Sequence, residues 1–267
     1  MNKFLKSKVD GAPRVYEVQS IEAFIELATW LYASDEVIFR GQTEDWSLVP
    51  LVGRNTEKTG YLDTERKILE EFKREALPHL PFVPRTLWQW LAVAQHNGLP
   101  TRLLDWTMNP LVALWFAVNK PPQHARPGVV WAHHVEPSTA ISCTEETESP
   151  FCIDRAQVYI SEHVFPYLQA QSGVFTVLHR DKESGPFVPF EQIENADLRL
   201  TKIEIPAASF AHIRHPLFRL GINAASLFPG LQGIAKRIRY QNERCGDEEG
   251  VPILPVSSCR SKSDTEH

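Results

Sequence analysis

Two kinds of hydrophobic pattern occur along the chain, one typical of helices and one typical of strands. Apolar residues at helical spacing predict helices over residues 20–32, 64–77, 86–98, 110–119 and 207–220. Short runs rich in β-branched residues predict strands over residues 37–41, 129–135, 173–178 and 198–206. These elements follow no regular strand–helix–strand order. The pattern therefore predicts an α+β fold, a single mixed domain with a small twisted sheet and flanking helices.

The helix boundaries near the middle of the chain carry clear local signals. Thr86 with Gln89 three positions later forms the pattern of a capping box, and Gly98 is placed to end the helix that follows. Asn109 is a favourable N-cap, and Pro110 fits the first position of a helix. Two helices separated by a short connector are therefore predicted.

The connector between these helices is rich in polar side chains. It carries Thr101, Arg102, Asp105 and Thr107 beside apolar neighbours. Charged groups between buried helices must be paired or face a cleft. We interpret Arg102 and Asp105 as an ion pair that holds the connector in place. The charged face of helix 64–77, which includes Glu65, is interpreted as a solvated surface.

Changes in composition along the chain suggest three parts. Residues 1–19 are basic and irregular, and they predict an N-terminal arm or sheet edge. The regular hydrophobic patterns lie within residues 20–240, which predicts one folded domain there. Residues 241–267 are polar and interrupted by glycine and proline, which predicts a C-terminal tail.

Overall composition narrows the classes of function. The formal net charge of −5 argues against a nucleic-acid partner, because phosphate binding usually accompanies a basic domain. No apolar run is long enough for a membrane span, so a cytoplasmic protein without membrane association is expected. The four cysteines lack the short paired spacing of a zinc site, and His133 and His134 point to opposite faces of a strand. No metal site is predicted.

Four motifs carry a family resemblance. They lie at residues 39–42 (Phe-Arg-Gly-Gln), 94–107, 171–175 and 221–229. Together they resemble the FRG domain, a family named for its Phe-Arg-Gly motif, and the resemblance extends over residues 20–240. It implies a bacterial or phage protein with a role in phage defence.

A looser similarity links the chain to ADP-ribosyltransferases, and it implies NAD as the cofactor. That family has an Arg or His on an early strand, a Ser/Thr element before a helix, and a late acidic residue. Arg40, Thr107 and Gln232 fall in this order and are the implied catalytic residues. The implied reactions are transfer of ADP-ribose to an unidentified protein target and hydrolysis of NAD.

The other candidate residues lie beside Arg40 and in the connector. The candidate ligand-binding residues are Gly41, Gln95, His96, Thr101, Arg102, Asp105 and Trp106. Trp106 is the candidate for stacking on a nicotinamide ring, whereas His96 is interpreted mainly as complementing a helix dipole.

The missing late carboxylate leaves the reaction open. Gln232 stands where an acidic residue is expected, and an amide supplies no negative charge. Asp105 or Glu204 could replace it in stabilising a ribosyl cation. The alternatives are a non-catalytic module that binds a nucleotide-like small molecule and, least favoured by the net charge, a nucleic-acid binding module.

Overall fold

The computed structural model describes residues 2–33, 36–54, 61–142, 149–161, 166–180, 186–243 and 245–248. The helices are α1 (Ile21–Leu31), α2 (Tyr61–Ala76), α3 (Leu87–His96), α4 (Pro110–Val118), α5 (Pro166–Ala170), α6 (Ala196–Arg199), α7 (Phe210–Arg219), α8 (Ala224–Leu227) and α9 (Leu231–Asn242). The strands are β1 (Leu5–Ser7), β2 (Arg14–Glu17), β3 (Val37–Gln42), β4 (Leu103–Thr107), β5 (Gly128–His134), β6 (Ala140–Ser142), β7 (Gln157–Ile160), β8 (Gly173–Val177) and β9 (Leu200–Ile205).

The strands form a mixed sheet in the order β1-β2-β9-β5-β3-β4-β8-β7-β6. Strand β2 lies parallel to β9 and β6 parallel to β7, while the remaining neighbours are antiparallel. The predicted α+β class is confirmed. The sheet is larger than predicted, because the sequence predicts no strand at β4, β6 or β7; β1 and β2 lie within residues 1–19, where an arm or a sheet edge is predicted.

The predicted N-caps form, but the predicted capping box at Thr86 does not close. The Thr86 hydroxyl accepts from the Gln89 N–H, and the Gln89 carboxamide oxygen accepts from the Arg85 N–H instead of closing the box on Thr86. The Asn109 side chain accepts from the Leu111 N–H at the start of α4. Each of these hydrogen bonds satisfies a backbone donor near the beginning of a helix.

The connector between α3 and α4 is a strand. Residues Leu103–Thr107 form β4, which pairs along its length with β8. The sequence predicts only a short connector here, so the strand is a correction to that prediction. Leu103 and Leu104 point to opposite faces and are both 1% exposed, so the strand is buried on both sides where they lie.

Helices cover one face of the sheet. Phe39 of β3 and Ala113 of α4 belong to one core cluster with residues of α1 and α7. On the opposite face, Ile38 and Trp106 pack with residues of the segments around Leu48 and Phe190. Strand β3 therefore lies between two apolar layers. These layers cover Phe39 and Ile38, so only the side chains at the end of β3 remain available to a ligand.

Candidate functional site

The end of β3 brings Arg40, Gly41 and Gln42 together at an opening in the fold. Successive side chains of a strand point to opposite faces, so Arg40 and Gln42 share one face while Gly41 faces the helices. A Cβ atom at Gly41 would lie 1.8 Å from the carbonyl oxygen of Ala113 in α4. The absence of a side chain at Gly41 therefore allows α4 to cross directly over the strand.

Arg40 connects β3 to β4 beyond their backbone pairing. Across the described residues, the ladder between these strands consists of Phe39 opposite Thr107. The Arg40 Nη1 atom donates to the carbonyl oxygen of Asp105 at 2.6 Å and lies 3.8 Å from the Asp105 carboxylate. Burial lowers the pKa of Arg40, and the charge of Asp105 partly opposes this shift. Arginine nevertheless remains charged at neutral pH.

A cleft of about 680 Å³ opens beside Arg40, and we call it the basic cleft. Its cationic lining residues are Arg40, Arg54, Lys120, Arg214, Lys236, Arg237 and Arg239. Its aromatic lining residues are Trp46, Trp115, Phe116, Phe218, Phe228 and Tyr240. No Asp or Glu lines this cleft within the described ranges. The cleft therefore combines cationic side chains with ring surfaces, and two of the cations, Arg214 and Arg239, are paired with carboxylates outside the lining.

Several buried polar atoms of the cleft residues have no hydrogen-bond partner in the part of the chain that the structure describes. They are Nε of Arg40, Nη1 of Arg214 and both polar atoms of the Gln42 carboxamide. Gln42 is only 4% exposed. A buried polar group without a partner costs about 1–3 kcal/mol. These groups would be satisfied by a polar ligand.

Arg214 is bound by acidic residues of the segment that follows α9. Its Nη2 atom donates to both carboxylate oxygens of Asp247, at 2.8 and 2.6 Å, and its Nε atom donates to Glu248 at 3.2 Å. These bonds fix the guanidinium plane and leave Nη1 for the cleft. The first part of the predicted tail is thus packed against α7, while residues 249–267 lie outside the described residues.

The connector residues Thr101, Gln95 and Asp105 form a hydrogen-bonded chain. The Thr101 hydroxyl donates to the side-chain carboxamide oxygen of Gln95, and the Gln95 side-chain amide donates to the Asp105 carboxylate at 3.0 Å. The Asp105 side chain remains 62% exposed. His96 packs against Tyr167, and partial burial lowers its pKa, opposed by the charge of Asp105. A carboxylate is thereby placed beside Arg40 in contact with solvent.

The predicted ion pair between Arg102 and Asp105 is wrong. Arg102 is bound instead by Glu65, which receives bonds from its Nε and Nη2 atoms and from its backbone N–H. The side chains of Arg102 and Glu65 are 6% and 4% exposed. The prediction that Glu65 lies on a solvated face is therefore also wrong. Arg102 ties α2 to the start of β4 and does not line the basic cleft.

Trp106 and Thr107 do not face a ligand as predicted. Trp106 is 3% exposed, and its indole N–H donates to the Thr176 hydroxyl inside the core, so it offers no surface for stacking. The Thr107 hydroxyl accepts from the Asn109 N–H and donates to the carbonyl oxygen of Gln171. Trp106 is thus a core residue and Thr107 stabilises the junction between β4 and α4; neither lines the cleft.

Gln232 and Glu204, the two remaining candidates, also lie outside the cleft lining. Gln232 is exposed in the first turn of α9. The Glu204 carboxylate is bound by Lys6 at 2.6 Å and lies 3.5 Å from Lys202. Neither residue is positioned beside Arg40 as a replacement for a missing catalytic acid.

The sequence analysis missed the cations that distant helices contribute. Lys236, Arg237 and Arg239 form a short basic segment of the kind that is usually a solvated face, and Arg214 carries no sequence signal. The clustering of three cations within four residues of an acidic chain was the available clue. These cations line one cleft with Arg40 only in the folded chain, where α7 and α9 contribute them.

One group of potential metal ligands lies within the described part of the chain. Cys245, Asp247 and Glu248 lie close enough to hold an ion, but both carboxylates already bind Arg214. Cys143 and Cys259 fall outside the described ranges. None of the described helices has the length and apolar character needed to cross a membrane.

Comparison with known families gives one match. The family model of the FRG domain matches residues 35–126, from the start of β3 through α4. Arg40, Gly41 and Asp105 all lie inside this range. No curated protein and no solved structure matches the chain.

Proposed function

Because residues 35–126 carry an FRG domain with Arg40 and Gly41 at a cationic opening, we propose that the basic cleft binds a phosphate-bearing nucleotide, with NAD as the leading candidate. The observation that carries this proposal is the composition of the cleft lining, which among the described residues has seven cationic and six aromatic members and no carboxylate. Guanidinium groups bind phosphate oxygens through paired hydrogen bonds, and aromatic rings stack on bases.

The unpartnered donors indicate how such a ligand would be held. Arg40 Nε and the Gln42 amide lie at the end of β3, where they would bind one phosphate. Arg214 Nη1 is available to a second anionic group in the same cleft. The clustered rings of Trp115, Phe116 and Phe228 offer an apolar wall for a base. Two phosphates and a base are the recognition elements of a dinucleotide.

Titration with NAD and ADP-ribose tests this proposal. Arg40→Lys keeps the charge but loses the planar donor pair, so we expect about tenfold weaker binding. Lys236→Ala removes an exposed cation and should weaken binding severalfold, with a smaller effect at high salt. The measurement is isothermal titration calorimetry, supported by the thermal shift that accompanies binding to the folded state.

The matched control is Lys3→Ala, which removes a cation paired with Glu26 on the far edge of the sheet. It should bind as the unmodified protein does. Failure of both ligands to bind at about 1 mM would contradict the proposal. Equal losses for Lys3→Ala and Lys236→Ala would show that only overall charge matters.

Asp105 favours a second candidate function, cleavage of the bond between nicotinamide and ribose. Its exposed carboxylate lies outside the lining of the basic cleft but 3.8 Å from Arg40 at its edge, and it accepts a hydrogen bond from Gln95. Such a carboxylate could stabilise the positive charge that develops on the ribose in the transition state. Transfer of ADP-ribose to a protein target and a role in phage defence would follow from this activity, and both stay predictions.

Release of nicotinamide from NAD tests the catalytic candidate directly. We expect Asp105→Asn to reduce the rate about 100-fold or more, because the amide preserves shape but removes the charge. The control is Glu70→Gln, an exposed carboxylate bound to Lys73 on α2. Tight NAD binding without release of nicotinamide would identify a binding module and reject the enzyme.

A further inference from the structure

A second cavity of about 500 Å³ lies at the other end of the central strands, and we call it the His133 cavity. In the sheet register His133 is opposite Ile38, at the start of β3, whereas Gln42 at the end of β3 is opposite Val129. The lining residues of the His133 cavity and of the basic cleft do not overlap. The two openings are therefore separate sites.

One lining residue of this cavity is a buried histidine, His133, with a ring nitrogen that has no described hydrogen-bond partner. His133 is 5% exposed, and its Nδ1 atom has no hydrogen-bond partner within the described segments. The ring hydrogen-bonds to the backbone of Arg199, an interaction that favours its protonated nitrogen. Since Nδ1 is unpartnered, that proton lies on Nε2, and Nδ1 presents a lone pair. Burial, assisted by the nearby charge of Arg199, lowers the pKa of His133 to about 3, so the ring is neutral at physiological pH.

Gln157 supplies a second acceptor to the same cavity. Its carboxamide oxygen is buried and has no partner in the described part of the chain. Two buried acceptors without donors are unfavourable in the empty protein. A ligand that fits them must therefore bring its own N–H or O–H groups.

The charged and aromatic residues around the cavity further limit the chemical class of ligand that it can bind. The lining carries two negative and two positive charges, from Asp154, Glu194, Arg155 and Arg199. The cavity therefore favours neither anionic nor cationic ligands. Phe190 packs edge-on to the His133 ring with centroids 5.0 Å apart and also lines the cavity. Aromatic and apolar walls favour a flat ring.

We propose that the His133 cavity binds a small neutral heteroaromatic molecule with amino N–H donors, the chemistry of an amino-substituted nucleobase. Its amino group donates to His133 Nδ1 and Gln157 Oε1, and its ring packs beside Phe190. Phosphate-bearing ligands are disfavoured here, because the lining has no excess of positive charge. The proposal is independent of the nucleotide proposed for the basic cleft.

Titration with adenine and cytosine, followed by the ring-nitrogen NMR signals of His133, tests this site. We expect both bases to shift the Nδ1 signal in the direction of an accepted hydrogen bond, with dissociation constants below about 1 mM. Adenine with a dimethylated amino group keeps the ring but loses the donors, so it should bind at least about tenfold more weakly. This comparison uses the unmodified protein and needs no variant to fold.

Variants then show whether the bases bind in the His133 cavity or in the basic cleft. Gln157→Leu should weaken adenine binding about tenfold. Lys236→Ala, in the basic cleft, should leave it unchanged. The proposal is overturned if neither base shifts the His133 signals at about 5 mM, or if the dimethylated analogue binds as well as adenine. Loss of adenine binding in Lys236→Ala would place the base in the basic cleft and would also overturn it.

Discussion

Replacing Gly41 by alanine is expected to lower the free energy of unfolding by about 3 kcal/mol or more, at the upper end of the range for overpacked sites. The new Cβ would lie 1.8 Å from the carbonyl oxygen of Ala113 and 2.9 Å from the amide nitrogen of Ala117. Both contacts involve backbone atoms, so no side-chain rotation can relieve them. Helix α4 would have to move away from β3.

Urea denaturation followed by circular dichroism measures this loss. Gly246→Ala is the matched control, because a Cβ there meets no atom within 4 Å. It should change the free energy of unfolding by less than about 0.5 kcal/mol. Equal stability of Gly41→Ala and the unmodified protein would show that α4 does not cross β3 as closely as described.

The same substitution should disturb the basic cleft. Trp115 and Phe116 lie on α4 and line the cleft beside Arg40. If α4 shifts to relieve the contact at Gly41, this aromatic wall moves with it. The glycine and the arginine of the motif thus act on one site, since the first sets the position of the wall and the second supplies the charge.

The predictable part of the fold is the part specified by local chemistry. Ser20, Thr86 and Asn109 each accept a hydrogen bond from a backbone N–H two or three residues later, and each marks a helix start that the sequence predicts. Such bonds lie within a few residues, so spacing alone reveals them. The strands β3, β5 and β8 were predictable for a similar reason, because they are short runs rich in β-branched residues.

Partners distant in sequence could not be predicted in the same way. Asp105 lay three residues from Arg102 and was the nearest candidate, but Glu65, 37 positions away, binds the guanidinium. Residues 102 and 105 could have paired in a loop or helix. Arg102 instead lies just before β4, where it binds Glu65 of α2, whereas Asp105 lies within the strand.

Among the cationic residues of the basic cleft, only Arg40 could be predicted from the sequence. The motif at residues 39–42 identified Arg40, and its position at a strand end followed from the hydrophobic run before it. Arg54, Arg214 and Lys236 come from three other segments and meet Arg40 only in the folded chain. No periodic pattern encodes that meeting, because each cation alone is typical of a solvated surface.

Glu65→Gln is expected to lower the free energy of unfolding by about 3–5 kcal/mol, because it leaves the Arg102 guanidinium buried without a countercharge. The pair spans 37 residues and connects α2 to β4, with Nη2 of Arg102 at 2.8 Å from the carboxylate. Its buried position distinguishes it from surface ion pairs, which contribute little. Chemical denaturation of the variant measures the loss.

A double variant separates the charge from the packing. Glu65→Gln combined with Arg102→Met removes both charges, so it should lose less stability than the sum of the two single variants. Glu70→Gln on the same helix is the control, since its carboxylate is 59% exposed and should cost less than about 1 kcal/mol. Equal losses for Glu65→Gln and Glu70→Gln would mean that water reaches Arg102. The guanidinium would then be solvated, and the link between α2 and β4 would depend on apolar contacts instead.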